Sequence, residues 1–264
     1  MNPPHSTEIY ADHITKHYQS HNGQVYALEN VNFKISAGEI VCIVGPSGCG
    51  KSTLLKILAG LIEPTSGQVR FSNGSNDSGI RTALIFQEHG LFPWMTILDN
   101  VAFGLENLGV GKIERQQKTQ TFLEQLGLGE FSHYYPSELS GGMRQRAVIA
   151  RAVLVEPNLL LMDEPFSGLD AQSKLVLQEE MLHIWKTFQQ TVIYVTHEIE
   201  EAILLGDRVL LMTGRPGSIK EEIEVLLDRP RDLRDRDQPF VRETKWHIWK
   251  AIEGQVRQSL HVSG

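Results

Sequence analysis

Residues 40–58 constrain the rest of the chain more than any other stretch. Ile40 to Val44 is an apolar run that reads as a buried strand. The turn Gly45-Pro46-Ser47-Gly48-Cys49-Gly50-Lys51-Ser52-Thr53 follows, and Leu54 to Leu58 continues as a helix. Gly45 to Ser52 satisfies G-x-x-x-x-G-K-[ST] in its proper setting of strand, loop and helix. Glycines let the backbone curl around phosphate oxygens with its N–H groups turned inward. The helix start adds a partial positive charge. In such a loop Lys51 reaches the β- and γ-phosphates and the Ser52 hydroxyl holds Mg²⁺. The stretch implies a nucleoside triphosphate and an α/β core; it leaves open what the energy is for.

Composition narrows the class. With 264 residues and 41% hydrophobic content the chain can bury a substantial core, as one large domain or two small ones. A formal net charge of -7 argues against a broad nucleic-acid footprint, although a local basic patch is compatible with it. The two cysteines, Cys42 and Cys49, sit in the strand and turn just described. That is no disulfide framework, and a reducing, cytosolic compartment is expected. Met1 to His5 lacks the pattern of a signal peptide. No apolar run approaches the roughly 18 residues a membrane span needs.

Along the chain, Ile9–Tyr18 and Val25–Ile35 alternate as strands around a turn at Ser20–Gly23. After the phosphate loop come a turn at Pro64–Gly67, a short strand Gln68–Phe71, a polar surface loop Ser72–Gly79 and a strand Thr82–Phe86. The texture then changes. His89–Met95 is a loop rich in large apolar groups, and Thr96 caps a helix Ile97–Leu108. Further helices are expected at Lys112–Leu126 and Ser140–Val155, so residues 88–157 read as a helical subdomain inserted in the core. The core resumes with strand Asn158–Met162, helix Gln172–Phe188, strand Thr191–Val195, helix Ile199–Leu205 and strands Arg208–Met212 and Ile219–Val225. Arg229–Asp237 reads as a solvated linker, opening a C-terminal segment at 229–264 that ends in an amphipathic helix, Phe240–Leu260. Val241, Ile248, Ile252 and Val256 share a face of that helix with Trp249 beside it, and core packing is expected of them rather than a membrane role.

Several constellations carry chemistry. Leu159–Met162 delivers Asp163 and Glu164 at a strand end, where open α/β sheets bind ligands. Asp163 suits Mg²⁺, and Glu164 suits polarising an attacking water; alone, the two would be a helix-capping acid pair. Ser140-Gly141-Gly142 opens a helix and forms either an ordinary cap or a second anion site. If both helix starts serve one nucleotide, two chains arranged head to tail could close around it. Gln87, Glu164 and His197 all stand at strand ends, a set placed to sense a γ-phosphate. Ser167-Gly168-Leu169-Asp170 is a turn with a helix cap.

Taken together these residues resemble the ATP-binding subunits of ABC transporters, over nearly the whole chain. Gly45–Ser52 is similar to Walker A, Gln87 to the Q-loop, Leu139–Gln145 (LSGGMRQ) to the signature motif, Met162–Pro165 to Walker B, Ser167–Asp170 to the D-loop and His197 to the H-loop. The signature is the most specific of these, and the absence of N-K-x-D argues against a GTPase. The resemblance implies one ABC ATPase domain: a P-loop core with a mixed sheet, an N-terminal antiparallel β part and the helical insertion. It implies ATP sandwiched between Walker A of one chain and Ser140, Gly141 and Gly142 of another, with Asp170 beside it. Glu164 is then the general base, His197 a γ-phosphate contact, and Gln87 joins Ser52 and Asp163 around Mg²⁺. Tyr18 aligns with the adenine-stacking aromatic, with Tyr26 as its rival. Phe92-Pro93-Trp94-Met95-Thr96, Thr196 to Ala202, and Asp207-Arg208-Val209 with Arg215-Pro216-Gly217 resemble the nitrate, sulfonate, taurine and bicarbonate importers. That implies a peripheral protein on the cytoplasmic face of the cell (inner) membrane. Its partners would be a second ATPase chain, identical or paralogous, a permease docking at Phe92, Trp94 and Met95, and indirectly an extracytoplasmic solute-binding protein. Internal packing is the competing role for those three side chains. A soluble ABC ATPase acting on nucleic acid or ribosomes and a P-loop nucleotide kinase are the rival classes. The chain is short of long coiled coils and of room after His197 for an added regulatory domain.

Overall fold

The computed structural model describes residues 6–20, 23–72, 79–87, 90–188, 190–229, 231 and 233–261. The expectations for Met1–His5, the turn tip at His21 and Asn22, the loop interior 73–78, His89, and the side chains of Val256 and Leu260 lie outside what is described.

Two sheets form. Strands β1 (Glu8–Ser20), β2 (Gly23–Ile35) and β4 (Ser66–Ser72) make an antiparallel sheet in the order β2-β1-β4. Strands β3 (Ile40–Val44), β5 (Thr82–Ile85), β6 (Leu159–Asp163), β7 (Thr191–Thr196), β8 (Arg208–Met212) and β9 (Ile219–Glu224) make the second, ordered β5-β6-β7-β3-β8-β9. Its first five strands run parallel, and β9 closes it antiparallel to β8. The sheet is mixed, and the chain is α/β.

The central strands are apolar at nearly every position because both faces are covered. Side chains alternate across the sheet. Cys42, Val44, Leu160, Met162, Val192 and Tyr194 face a helical layer, while Val41, Ile43, Leu159, Leu161, Ile193 and Val195 face β1, β2 and helix α1 (Lys51–Leu58). Each such side chain contributes about 1.5–3 kcal/mol when fully buried, so this double-sided strand core fixes where the strand ends lie.

The inserted helices are α2 (Ile97–Asn107), α3 (Lys112–Gln125) and α4 (Gly141–Val153), with short 3₁₀ turns at Gly129–Phe131 and Pro136–Glu138. Thr96 caps α2, accepting from Asp99 N at 3.1 Å. The apolar loop before it is held by Asn100, which is fully buried. Its Oδ1 accepts from Phe92 N at 2.7 Å, and its Nδ2 donates to the carbonyls of Phe92, Met95 and Thr96. Helices α5 (Ala171–Phe188) and α6 (Ile199–Leu205) return to the core.

The C-terminal part departs from expectation in one place. The segment 229–237 is not wholly a solvated linker: Leu233–Asp237 forms a 3₁₀ turn and Arg231 is buried. The Arg231 guanidinium donates to the carbonyls of Leu204, Gly206 and Leu227. The end of α6 leaves carbonyls without helical partners, and a planar five-donor cation can fill that role inside the fold. Burial lowers the pKa of Arg231. Helix α7 (Pro239–His261) then buries Val241, Ile248 and Ile252 in the core, as its pattern predicts, while Trp249 stays partly exposed. Among the described residues no helix is long and apolar enough to cross a membrane.

Candidate functional site

Strands β5, β6, β7 and β3 lie side by side and parallel, so their carboxyl ends share one edge of the sheet. Ile85 is opposite Met162, Asp163 opposite Val195, and Val44 opposite Thr196. Gln87, the Asp163–Glu164 pair, His197 and the Gly45–Thr53 loop therefore gather there, from segments far apart in sequence.

The loop is tightly backed. Gly48 and Gly50 have φ of 74° and 104°, and a Cβ on Gly50 would come within 2.7 Å of the Ala27 carbonyl oxygen. Gly217, in the turn that the sequence sets beside Arg215 and Pro216 as importer-like, presses on the loop from behind. A Cβ there would lie 1.9 Å from the Cys49 carbonyl oxygen. Gly217 N donates to Ala27 O at 3.0 Å, and Glu29 N donates to Gly217 O at 2.9 Å. Helix α1 starts at Lys51, whose buried ammonium donates to the carbonyls of Gly45 (2.8 Å) and Pro46 (3.0 Å).

Cys49 stands near a helix start, where a thiol pKa tends to fall, although as a residue type it reads as a small filler of the loop. In the fold the filler role prevails. Cys49 is fully buried, and desolvation pushes its thiol up against the pull of Lys51. Its sulfur packs beneath Gly45, where an added Cβ would meet it at 2.9 Å. Cys49 is thus a filler of the loop and not an activated thiol.

Ser52 and Asp163 come together, close enough for the hydroxyl to pull the Asp163 pKa down. Burial raises the Asp163 pKa, the Ser52 hydrogen bond opposes the rise, and Glu164 adds to it. A hydroxyl and a carboxylate brought together at the mouth of a phosphate loop are hard oxygen donors of the kind Mg²⁺ takes. Glu164 sits at φ 46°, a left-handed backbone that a glutamate adopts only when its surroundings impose it. Its N–H donates to Val195 O at 2.9 Å, and its Oε2 lies 2.9 Å from His197 Nδ1. Gln87 stands exposed beyond β5 on the same edge.

One residue that matters here falls within the importer-like stretch Thr196 to Ala202, where the sequence assigns it no role of its own. Glu201 is 3% exposed; it accepts from Tyr194 Oη and Gln178 Nε2, both at 2.8 Å, and from the Thr196 hydroxyl. Lys174 Nζ lies 3.4 Å from it. This buried acid anchors the strand end that presents His197. Nothing in the run Glu198, Glu200, Glu201 singles it out by pattern.

The second helix start lies elsewhere. Ser140 caps α4, accepting from Met143 N at 3.3 Å. Within 4 Å, a Cβ on Gly141 would meet only Leu169, and one on Gly142 only Ser173. Neither meets the phosphate loop. Asp170 caps α5, accepting from Gln172 N, Ser173 N and the Ser173 hydroxyl, and Ser173 holds its carboxyl below the usual range. Tyr18 and Tyr26 are both exposed on neighbouring strands. The Lys16 ammonium lies over the first ring at 5.3 Å, and the second lies 5.5 Å from the His17 ring. The apolar loop divides its aromatics: Phe92 packs on Phe103 at 5.0 Å under the Arg151 guanidinium, whereas Trp94 is 70% exposed and Met95 is half-buried. Arg151 also donates to Gly90 O at 3.0 Å, tying this loop to α4.

Known proteins resemble this chain in sequence and fold. Residues 28–167 match the ABC transporter family. An uncharacterised ABC transporter ATP-binding protein of Methanocaldococcus jannaschii is 44% identical over 254 residues, 96% of this chain and 94% of that one. The nitrate import ATP-binding protein NrtD of Synechocystis is 43% identical over 85% of each chain. An aliphatic sulfonates import ATP-binding protein, SsuB, of Bacillus cereus is 44% identical over 89% of this chain and 93% of its own. Among solved structures, an ATP-binding cassette in a dimeric post-hydrolysis state with ADP and Pi superposes with a TM-score of 0.72. It is 31% identical and covers 83% of this chain and 100% of its own.

Proposed function

The chain belongs to the ABC transporter family as an ATP-binding subunit and ATPase, and from that premise we propose that it powers the import of a small anionic solute. The observation that carries the reading is the shared sheet edge, where Ser52 meets Asp163 and Glu164 meets His197 beside the phosphate loop. Lys51 and the loop N–H groups bind the ATP phosphates. Ser52, Asp163 and Gln87 would hold Mg²⁺, which neutralises charge on the β- and γ-phosphate oxygens when bound. Glu164 orients the attacking water and accepts its proton, and His197 steadies that carboxylate and reaches the γ-phosphate. Tyr18, or Tyr26, stacks on adenine.

The α4 start lies near Leu169 and Ser173 of its own chain, and a Cβ on Gly141 or Gly142 meets no residue of the phosphate loop within 4 Å. Ser140, Gly141 and Gly142 of a second chain complete each site, with Asp170 fixing the neighbouring turn. ATP then closes a dimer, and hydrolysis reopens it. The chain works peripherally at the cytoplasmic face of the membrane, where Trp94 and Met95 present an apolar contact to a permease helix. The named relatives import nitrate and aliphatic sulfonates, and a solute of that class suits this chain, with taurine and bicarbonate as further members.

Reconstitution with a multispanning permease and its binding protein tests this. Solutes from a panel of nitrate, alkanesulfonates, taurine and bicarbonate are expected to stimulate hydrolysis. Trp94→Ala should keep basal hydrolysis and lose stimulation. Stimulation that survives the substitution removes the docking role, and a protein that no anion stimulates is no importer subunit of this kind.

A further inference from the structure

Helix α7 does more than plug the core. Arg242, Lys245, Trp246 and Trp249 recur at three- and four-residue spacing and so form one stripe, flanking the buried face of Ile248 and Ile252. With Ile199 they line a cleft of about 500 Å³ between α7 and the start of α6. Trp246 is 59% exposed and Trp249 37%. The fold leaves the larger part of one indole and over a third of the other uncovered. The cation beside them is available as well. Lys245 pairs with Glu200 at 2.7 Å, and Glu200 is also 3.3 Å from Arg236, whereas Arg242 has no ion-pair partner among the described residues.

We infer that this cleft binds a soluble organic anion with an apolar body, a sulfonate or carboxylate whose head meets Arg242 and Lys245 and whose chain lies between Trp246, Trp249 and Ile199. Its volume is that of a small-molecule pocket: mostly apolar walls with a few polar groups to fix orientation. A guanidinium matches the two-oxygen edge of such a head. Two other occupants fit worse. A second copy packed across a two-fold axis would set Arg242 and Lys245 against themselves. An anionic membrane surface would meet Glu243 and Glu253 on the same helix.

The site adjoins the chemistry. Ile199 is two residues past His197, and the Lys245–Glu200 pair ties α7 to α6. An anion that recruits Lys245 loosens that tie, so occupancy slows hydrolysis. This consequence rests on the reading of His197 given above, while the binding itself does not.

Tryptophan emission of the full chain reports on the cleft directly. The probes are linear alkanesulfonates from butane- to octanesulfonate, below micelle formation, with sodium sulfate and matching 1-alkanols as controls. The expected result is a saturable change that tightens with chain length and is absent with sulfate or alkanol. Arg242→Gln should weaken it at least ~10-fold, the size of one lost charged hydrogen bond, and Trp249→Phe should shrink the signal without abolishing binding. A change that does not saturate, that alkanols reproduce or that Arg242→Gln leaves intact overturns the site. So does a change seen only with anionic lipid vesicles, or sedimentation showing a nucleotide-free dimer that Trp246→Ala dissolves. Saturating octanesulfonate should lower the basal ATPase rate severalfold in the wild type and leave Arg242→Gln unmoved; binding with an unchanged rate overturns the regulatory role alone.

Discussion

Glu164 holds a left-handed backbone and a 2.9 Å contact to His197 at the same time. Such strain costs on the order of 1–3 kcal/mol, and it persists where the neighbours over-determine it. Here the Val195 carbonyl and the turn at Ser167 do so. Glu164→Gln keeps size and hydrogen bonding but removes the base. Expected is unchanged ATP binding, hydrolysis lower by roughly 10²-fold or more, and an ATP-dependent dimer visible by sedimentation; turnover near the wild-type rate would remove the assignment. Asp163 behaves differently. Burial raises its pKa above the unfolded value, so its stabilising form is the neutral one. That contribution is fully present below the unfolded pKa and is lost as pH rises through the folded pKa. At neutral pH its charge therefore costs stability in the absence of a cation. Asp163→Asn is expected to melt higher than wild type without nucleotide and to lose the extra stabilisation that Mg-ATP gives; thermal melts with and without Mg-ATP decide it. The identities of Lys51, Ser52, Asp163, Glu164 and His197 were readable as motif letters, whereas the importance of Glu201 and Gly217 was not. A motif records residues that touch a ligand at fixed spacing. A buried anchor and a close backbone approach leave no such spacing.

At the scale of elements, the sequence placed nearly every strand and helix, because the strands are short apolar runs and the helices carry caps such as Thr96 and Ser140. The failure at residues 229–237 is instructive: alternating charge looks solvated, yet Arg231 finds the open carbonyls at the end of α6. No local pattern could announce those acceptors. Within the insertion, α2 and α4 approach closely at Gly104, where an added Cβ would lie 2.4 Å from Val155 Cγ1. Gly104→Ala would gain about 1 kcal/mol of helix propensity. Overpacking of about 1–3 kcal/mol outweighs it. The expected result is a melting temperature lower by a few degrees, with ATP affinity unchanged because the core sheet is untouched; a higher melting temperature would show that the α2–α4 seam has slack.

In the proposed reading the phosphate loop and the α4 start are the two halves of a nucleotide site, and a Cβ on Gly141 or Gly142 meets no residue of that loop within 4 Å. If they complete each other between chains, mixing two inactive variants restores function. Lys51→Ala spoils the phosphate loop and Ser140→Ala the opposing helix start. Their mixed dimer has one doubly damaged site and one intact site. Random pairing should recover roughly a quarter of the wild-type sites, measured as ATPase of the mixture against either variant alone; no recovery means that each chain acts by itself. The sequence alone determined the phosphate loop, the strand-end acids, the capped helix start and the α/β class. These follow from local spacing and from the two-sided burial that makes a strand wholly apolar. Only the tertiary structure decided that β5, β6, β7 and β3 stand as neighbours, that Cys49 is shut away from solvent, that Arg231 is interior, and that the α4 start packs near Leu169 and Ser173. Each of those depends on which distant surfaces meet, a property of the packed sheet order that no single stretch of chain contains.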